Sequence, residues 1–574
     1  MVEVARPAAN PEFRDVNPLW RVASSKMVTF RRIETAWLWA SVVAVGCHYI
    51  WHAHGIRSGG FQNLDVAGIA YNARLLLAGK LPYVDSVEIK PPGAFLLFAP
   101  WLALGGMKAV WCFSVFWAAL TSLSTGWLAA CCWGAKWGPR VAILHAAGAA
   151  VAADGDINYS FWMTLPLVIS AAFAVRAAQS LEFRSAQWCW LASSAFGTFA
   201  VLIRPSALTA AFVFAAATVP LLRQRAWRAL GGAVTCGLLG VLVVAVLVAL
   251  PLLRGGSLEV MVHAYSSVRR YADESVTSIL VGAGGRWAAT LLGLQCLPDQ
   301  LPVHYLLLAV TLLPTPASFR RQVTCPNGYL AWVFAASCLV GISLTLRFFT
   351  HDNAPMWAAL AALSLRPTSL VGLLLERLER YYLLDLVGAF ALGVLAPLNN
   401  WHSLVWTQQQ LLDSDAKVAR ICGRLSRHLS ATDTVLAWGW TAWGVYEHCG
   451  RWAPGPVYKD LTTVTTPNTN TCNRGYEPPR FKNGPFAARY LRDLAHKPPV
   501  LIVVSDYYRG LGRDPLDEWH EARRFIRDHY VVFERSGSFL ALLRRDFRTD
   551  VGLLPTDRSL EIQGPISEWL DQGK

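Results

Sequence analysis

The sequence predicts a polytopic α-helical membrane protein with a C-terminal α/β domain outside the membrane. Three observations predict it. The 574-residue chain is 54% hydrophobic and 12% aromatic but only 16% charged, where soluble domains carry about 25%. Its apolar residues gather into runs close to the roughly 20 that span a bilayer. From about Asn399 onward the composition becomes that of a soluble domain. Together these exclude a disordered chain, a coiled coil and an ordinary cytosolic enzyme.

The charge balance fits the same class. With 52 basic and 38 acidic residues the chain carries +14, which in a membrane protein reflects cytoplasmic loops and lipid phosphates, not nucleic acid. The 12 cysteines form no metal pattern: Cys131 and Cys132 are adjacent, and Cys47, Cys236 and Cys338 sit in apolar runs as small buried side chains. About thirty polar residues precede the first apolar run, and no small-residue cleavage site follows it. That run therefore reads as an uncleaved anchor.

Taken in order, the candidate spans are Thr35–Ile50, Val110–Trp133, Val141–Ala153, Phe161–Ala178, Trp188–Ile203, Ala207–Leu222, Leu230–Leu253, Leu301–Leu313, Leu330–Leu346, Pro355–Ser364 and Tyr382–Ala396. The run Gly93–Leu104 is about half a span long. Basic clusters at Arg21/Lys26/Arg31/Arg32, Lys136/Arg140, Arg176/Arg184, Arg223/Arg225/Arg228, Arg320/Arg321 and Arg366/Arg377/Arg380 fall on one side only if this run lies in the interface and does not cross. The expectation is about eleven transmembrane helices plus juxtamembrane helices, in a plasma (inner) membrane. Residues 1–33 form a cytoplasmic N-terminal segment, 34–398 the transmembrane module and 399–574 the extracytoplasmic, periplasmic α/β domain. In the last of these, a helical pattern over Leu411–Leu429 leads to a strand at Thr434–Trp438. Then come a strand Val500–Val504, a charged helix Leu516–Asp528, and strands Tyr530–Glu534 and Phe539–Arg544 joined by a turn at Ser536-Gly537.

Three outside stretches are more polar than connectors need to be. The first runs from Asp65 to Gly93, with Asp65 at a helix N-cap position, Gly79 at its stop, an amphipathic helix between them that lies along the membrane surface, and then Tyr83, Asp85, Glu88 and Lys90 before two prolines. The pattern D-x5-Y-x7-G-x-LPY-x-D-x4-KPPG resembles the first extracytoplasmic loop of the GT-C glycosyltransferases, in the branch of the protein O-mannosyltransferases and the aminoarabinose transferase that modifies lipid A. The resemblance implies two juxtamembrane helices over an active site, the second starting near the KPP. Asp65 is then a catalytic base, with Tyr71, Tyr83, Asp85 and Glu88 as substrate contacts, although capping alone also explains Asp65.

The second stretch is Asp154-Gly155-Asp156-Ile157-Asn158-Tyr159-Ser160. Carboxylates at membrane depth are expensive and point to function, while Asp-Gly also makes a solvated turn. The resemblance implies a second acidic residue nearer the following span, where this chain has Ser160. Asp156 is the choice, and Asp154 stays open. The third stretch holds cations outside: Arg204 before Pro205, Arg269 and Arg270 in the loop Arg254–Arg286, and Arg347 with His351. They run against the inside bias and, with Lys90 of the first stretch, suit a lipid phosphate, although interfacial snorkelling also accounts for any single arginine. His52, His145 and His304 read as structural.

The segment Asp433–Gly439, Tyr446 and the later strand at 499–504 resemble the tail domain attached to many such transferases, which implies a part in acceptor binding or a lid. Cys449 and Cys472 are the candidate disulfide there, with Cys422 left over. The implied function is transfer of a sugar from a polyprenyl-phosphate donor to a hydroxyl of a glycan, lipid or protein, by inversion. No cofactor is established, and Asp156 leaves room for a divalent cation, Mg or Mn. The alternatives are a transporter or flippase for a lipid-linked or anionic solute, which would show broken helices and mid-membrane polar residues, and a non-catalytic scaffold.

Overall fold

The computed structural model describes residues 18–547 apart from 62–63, 89, 153–155, 181, 254–257, 264–284, 301–327, 345–349, 368, 379–383, 396–400, 466–477 and 511. Its helices in order are α1 Pro18–Ser58, α2 Leu64–Leu77, α3 Gly93–Trp133, α4 Trp137–Ala152, α5 Tyr159–Gln179, α6 Phe183–Ile203, α7 Ala210–Arg223, α8 Trp227–Ala249, α9 Arg286–Gln300, α10 Tyr329–Leu344, α11 Ala354–Ser364, α12 Leu370–Leu378, α13 Leu384–Leu395 and α14 Trp401–Leu425.

Among the described residues, six helical segments are long and apolar enough to cross a membrane: Arg31–Ser58, Gly93–Trp133, Tyr159–Gln179, Phe183–Ile203, Pro205–Arg223 and Trp227–Leu252. Shorter apolar helices cover Tyr329–Leu344, Ala354–Ser364 and Leu384–Leu395. The chain is thus an integral membrane protein. Leu301–Leu313 lies outside the described residues. Lipid, not water, is the solvent that suits α8, where Leu238, Leu242 and Leu247 are exposed while its small residues Ala233, Gly237 and Gly240 face the bundle.

Gly93–Leu104 is set off from the rest of α3. Gly105 (φ −168°, ψ 24°) and Gly106 (φ +62°, ψ −155°) are non-helical, and the positive φ at Gly106 is one that only glycine adopts without strain. The break separates this half-span from the long helix that follows.

Polar side chains inside the bundle bond across helices, as they must without water. His48 of α1 and His145 of α4 share Ser122 of α3 at 3.0 and 2.9 Å, and His52 meets Ser114 at 2.7 Å. His304 is outside the described residues. Arg140 of α4 is buried against Asp385 of α13, with its Nε 2.6 Å from Oδ2.

Beyond α14 the chain builds one four-stranded sheet in the order β1-β2-β4-β3, from β1 Val435–Trp438, β2 Leu501–Ser505, β3 Tyr530–Ser536 and β4 Phe539–Arg544. β1 and β2 are parallel, and β4 is antiparallel to both β2 and β3. Gly537 (φ +60°) opens the tight turn between β3 and β4. β1 and most of β2 and β4 are apolar and buried on both faces, as is the first half of β3, Tyr530–Phe533, while Glu534–Ser536 are only partly covered. Val435, Ala437, Leu501 and Val503 join the core that continues into the membrane bundle. Leu436, Trp438, Ile502 and Val504 pack under helices α15 Pro485–His496 and α16 His520–His529.

Two expectations are corrected here. Cys449 is bonded to Cys422, not Cys472. Cys422 lies on α14, which packs on the segment Val445–His448 immediately before Cys449, so the two Cα atoms stand 4.8 Å apart. Cys472 is outside the described residues. And α2 is not an amphipathic helix with one open face. It is buried on nearly all sides, because Tyr446, Trp452 and Tyr458 from the sheet layer cover its outer face around Tyr71.

Candidate functional site

Asp65 is the second residue of α2, in its first turn and not at its N-cap. A carboxylate there is favoured by the amide N–H groups that a helix start leaves unpaired. The other end of α2 is closed as the glycine predicts. Gly79 takes φ +71°, its N–H donates to Leu76 O at 3.1 Å and Lys80 N–H donates to Leu75 O at 2.9 Å.

The loop that follows is held by its own side chains. Asp85 accepts a hydrogen bond from Leu81 N at 2.8 Å, and its side chain is otherwise at the surface. Tyr83 is buried at φ +74°, a left-handed conformation that costs an aromatic residue about 1–3 kcal/mol. Its hydroxyl donates to Lys90 O at 2.6 Å and ties the strained turn to the lysine. Lys90 Nζ then lies 3.8 Å from Asp65 Oδ1 and 4.8 Å from the centre of the Tyr159 ring.

Glu88 is 1% exposed. Its Oε2 accepts from the Asn72 amide (3.0 Å), the Tyr458 hydroxyl (2.5 Å) and Lys459 Nζ (2.5 Å), while its Oε1 accepts from Lys90 N (3.2 Å). Burial and the neighbouring carboxylate push the Tyr458 phenol well up, so it stays a donor. Tyr71 stacks on Tyr458 with ring centres 4.2 Å apart and accepts a hydrogen bond from Ala453 N at 3.3 Å. Arg74 reaches Glu447 at 3.1 Å and lies over the Trp452 ring at 4.2 Å. Of the four residues read as substrate contacts, Tyr71 and Glu88 therefore join the sheet layer to the loop. Tyr83 and Asp85 shape the loop itself.

The second stretch enters from the start of α5. Asn158 caps that helix, its side chain accepting from Ser160 N (2.8 Å) and Phe161 N (3.3 Å), and its amide donates to the buried Asp156 at 2.9 Å. Behind Asp156 a small cavity of about 30 Å³ is lined by His48, His52, His145 and Trp357. Ser160 Oγ donates to Asp352 Oδ1 at 3.2 Å, and the same oxygen takes Arg204 Nη1 at 2.5 Å. Asp352 is 4% exposed and had no place among the sequence candidates, though it ends the same segment as Arg347 and His351. The available signal was an acidic residue directly before an apolar helix. It brings a carboxylate from another loop against Ser160.

One glycine brings these parts together. Gly93 begins α3 directly against the end of α6, where a Cβ would lie 2.6 Å from the Leu202 carbonyl oxygen. The Lys90-Pro91-Pro92-Gly93 corner is thereby pressed onto the turn that carries Arg204, which ends α6 because Pro205 cannot continue it. Asp65, Lys90, Tyr159, Ser160, Asp352 and Arg204 form one connected line across four connections between helices.

Asp154, Arg269, Arg270 and Arg347 lie outside the described residues, as does the side chain of His351. Among the described residues no group of three or more His, Cys, Asp or Glu side chains gathers for a metal ion. Asp65 and Asp352 face cations and Asp156 an amide, a donor set that does not fit a divalent cation held by protein alone.

No family model and no curated protein matches the chain. Solved structures of similar shape include ArnT from Cupriavidus metallidurans bound to undecaprenyl phosphate, 12% identical over 88% of this chain and 98% of that one, with a TM-score of 0.49. The same protein in its apo state is 14% identical over 89% and 98%, with a TM-score of 0.48. The oligosaccharyltransferase AglB from Archaeoglobus fulgidus, in complex with an inhibitory peptide and a dolichol-phosphate, is 11% identical over 91% and 75%, with a TM-score of 0.42. Both proteins are membrane glycosyltransferases of the GT-C fold. At these TM-scores the likeness is one of general shape, and no residue role is taken from it.

Proposed function

We propose that this chain is an integral-membrane glycosyltransferase that moves a sugar from a polyprenyl-phosphate donor to an acceptor hydroxyl on the extracytoplasmic face, with inversion. The observation that supports the reading is the connected line from Asp65 through Lys90 and Tyr159–Ser160 to Asp352 and Arg204, which gathers two carboxylates and two cations. A phosphate-linked sugar bears its own leaving group, so the protein has to supply a base and stabilise charge.

In the proposed step Asp65 accepts the proton of the acceptor hydroxyl as that oxygen bonds to the anomeric carbon. The bond from that carbon to the phosphate oxygen breaks with its electron pair, and the lipid phosphate leaves as an anion. Lys90, 3.8 Å from Asp65, stabilises that charge. Arg204 offers a planar guanidinium whose orientation is fixed through Nη1 by Asp352, and such forks suit phosphate oxygens. Asp156 orients the Asn158 turn, on which both Tyr159 and Ser160 depend.

The test is purified full-length protein in vesicles with labelled polyprenyl-phosphate sugars and a membrane extract as acceptor. Wild type transfers label, and Asp65→Asn, folded to the same yield, loses at least about a hundredfold of that activity. Label that crosses the bilayer without forming a new glycosidic bond would favour the transporter. Full transfer by Asp65→Asn would remove Asp65 as base.

A further inference from the structure

A polar chamber lies inside the membrane bundle, behind the Asn158 turn. It has a volume of about 30 Å³, and its polar lining is His48, His52, Thr121, His145, Asp156 and Thr164. These come from α1, α3, α4, α5 and the turn before α5. All three histidines are buried, and each has one ring nitrogen bonded to a serine of α3.

Proton counting shows what that lining lacks. Ser114 Oγ lies 2.7 Å from Trp111 O and 2.7 Å from His52 Nδ1. A carbonyl oxygen has no proton to give, so the hydroxyl donates to Trp111 and His52 Nδ1 donates to the hydroxyl. The other nitrogen of a neutral His52, Nε2, is then a bare lone pair. Ser122 Oγ meets both His48 Nε2 and His145 Nδ1, at 3.0 and 2.9 Å. One hydroxyl proton cannot serve two imidazoles, so at least one of them donates to Ser122 and also keeps a bare nitrogen. None of these remaining ring nitrogens has a partner among the described residues. The other donors in the wall are already spent: Thr121 on Trp117 O (2.9 Å), Thr164 on Ser160 O (2.7 Å) and the Trp357 indole on His145 O (3.0 Å). What faces the chamber is a set of acceptors, the Asp156 carboxylate among them.

Acceptors enclosed in a membrane bundle are costly unless a donor meets them. A ligand that fits must be small and must bring protons of its own. Water does both, and since each molecule needs roughly 10–15 Å³ of such space, about two fit. We propose that this chamber is a water-binding site, whose molecules donate to the imidazoles of α1 and α4 and to Asp156. The histidines then do more than staple helices through serine. They shape a hydrated pocket that joins α1 and α4 to the start of α5. The site does not rest on the glycosyl transfer proposed above.

The experiment is X-ray radiolytic labelling of the full-length protein in detergent, read by mass spectrometry. Radicals form from water and oxidise the side chains that water touches, so a buried residue is labelled where water is bound. Trp357, 1% exposed and in the chamber wall, is expected to be oxidised several times faster than Trp190, which is 2% exposed and packed against Phe214. Ala118→Leu fills the chamber from α3 and is expected to bring Trp357 down to the rate of Trp190, with Trp190 itself unchanged. Ala149→Val narrows it from α4 and serves if Ala118→Leu fails to fold. Equal rates at Trp357 and Trp190 in wild type overturn the proposal without any variant. Fast oxidation of Trp357 that persists in a folded Ala118→Leu protein overturns it as well, because the label then comes from elsewhere.

Discussion

Ser160 and Asp352 meet through a hydrogen bond of 3.2 Å although they are 192 positions apart in the chain. Asp352 brings a buried carboxylate to the start of α5 from the turn before α11. That carboxylate also holds Arg204.

Asp352→Ala is expected to leave the Arg204 guanidinium without its main anionic partner in a mostly buried position. Breaking such a pair costs about 3 kcal/mol, read as a lower midpoint in thermal unfolding of the detergent-solubilised protein. Asp352→Asn keeps an acceptor for Ser160 and is expected to lose less stability than the alanine variant while still weakening donor binding. Equal stability of Asp352→Ala and wild type would show that the pair is not formed.

Gly93→Ala tests the close approach between α3 and α6. A methyl group 2.6 Å from a backbone oxygen forces the helices apart, at a cost of about 1–3 kcal/mol. Because Lys90 is three residues away, the expected functional effect is a raised KM for the donor with a smaller change in kcat. Unaltered stability and KM would mean that the two corners are not pressed together.

The pH dependence of the sheet layer has a definite sign. Burial pushes the Asp514 carboxyl up to about 7 from its ordinary 3.8, and burial pushes Asp460 up to about 6. Between about 4 and 7 the unfolded chain has lost protons that the folded chain still holds, so stability falls as pH rises through that window. Burial alone would lower His448, but its bond to Asp415 outweighs this and raises it, which adds loss of stability in the same direction as pH rises past 6.5. Hydrogen exchange at Val435–Trp438 is expected to be slower at pH 5 than at pH 8, after correction for intrinsic rates. Asp514→Asn can still accept from Trp438 Nε1 and Leu516 N and is expected to shrink that difference. A difference of unchanged size in the variant would assign it to other groups.

Replacing Cys422 by serine, or reducing the protein, removes a link that closes 27 positions between α14 and Cys449. The expected loss is about 3 kcal/mol, seen as a lower unfolding midpoint that Cys472→Ser does not reproduce. A large effect from Cys472→Ser and none from Cys422→Ser would restore the other pairing.

The membrane helices were legible because each is a local run of apolar residues, and the strands because each is a short run bounded by turns. Thr434–Trp438 and Val500–Val504, as read from the sequence, fall within one residue of β1 and β2. Gly79 was legible for a related reason, since a glycine's conformational freedom is a property of its own position, whereas the break at Gly105 and Gly106 was not read from the sequence. The charged run Leu516–Asp528 is one helix by pattern but divides into Pro515–Glu518 and His520–His529 at Trp519, which turns its ring into the core beneath.

The sequence by itself determined that this protein lives in a membrane, where its helices lie, and which loop holds Asp65 and Lys90, because hydrophobic runs, glycines and a contiguous motif are all local. Only the tertiary structure decided that Glu88 belongs to Lys459, Ser160 to Asp352, Arg140 to Asp385 and Cys449 to Cys422. Most of these pairs join segments one to several hundred positions apart, and periodicity carries no record of which distant charge a buried group meets. That choice is made by packing, since a charge taken out of water is tolerated only where the fold delivers its partner.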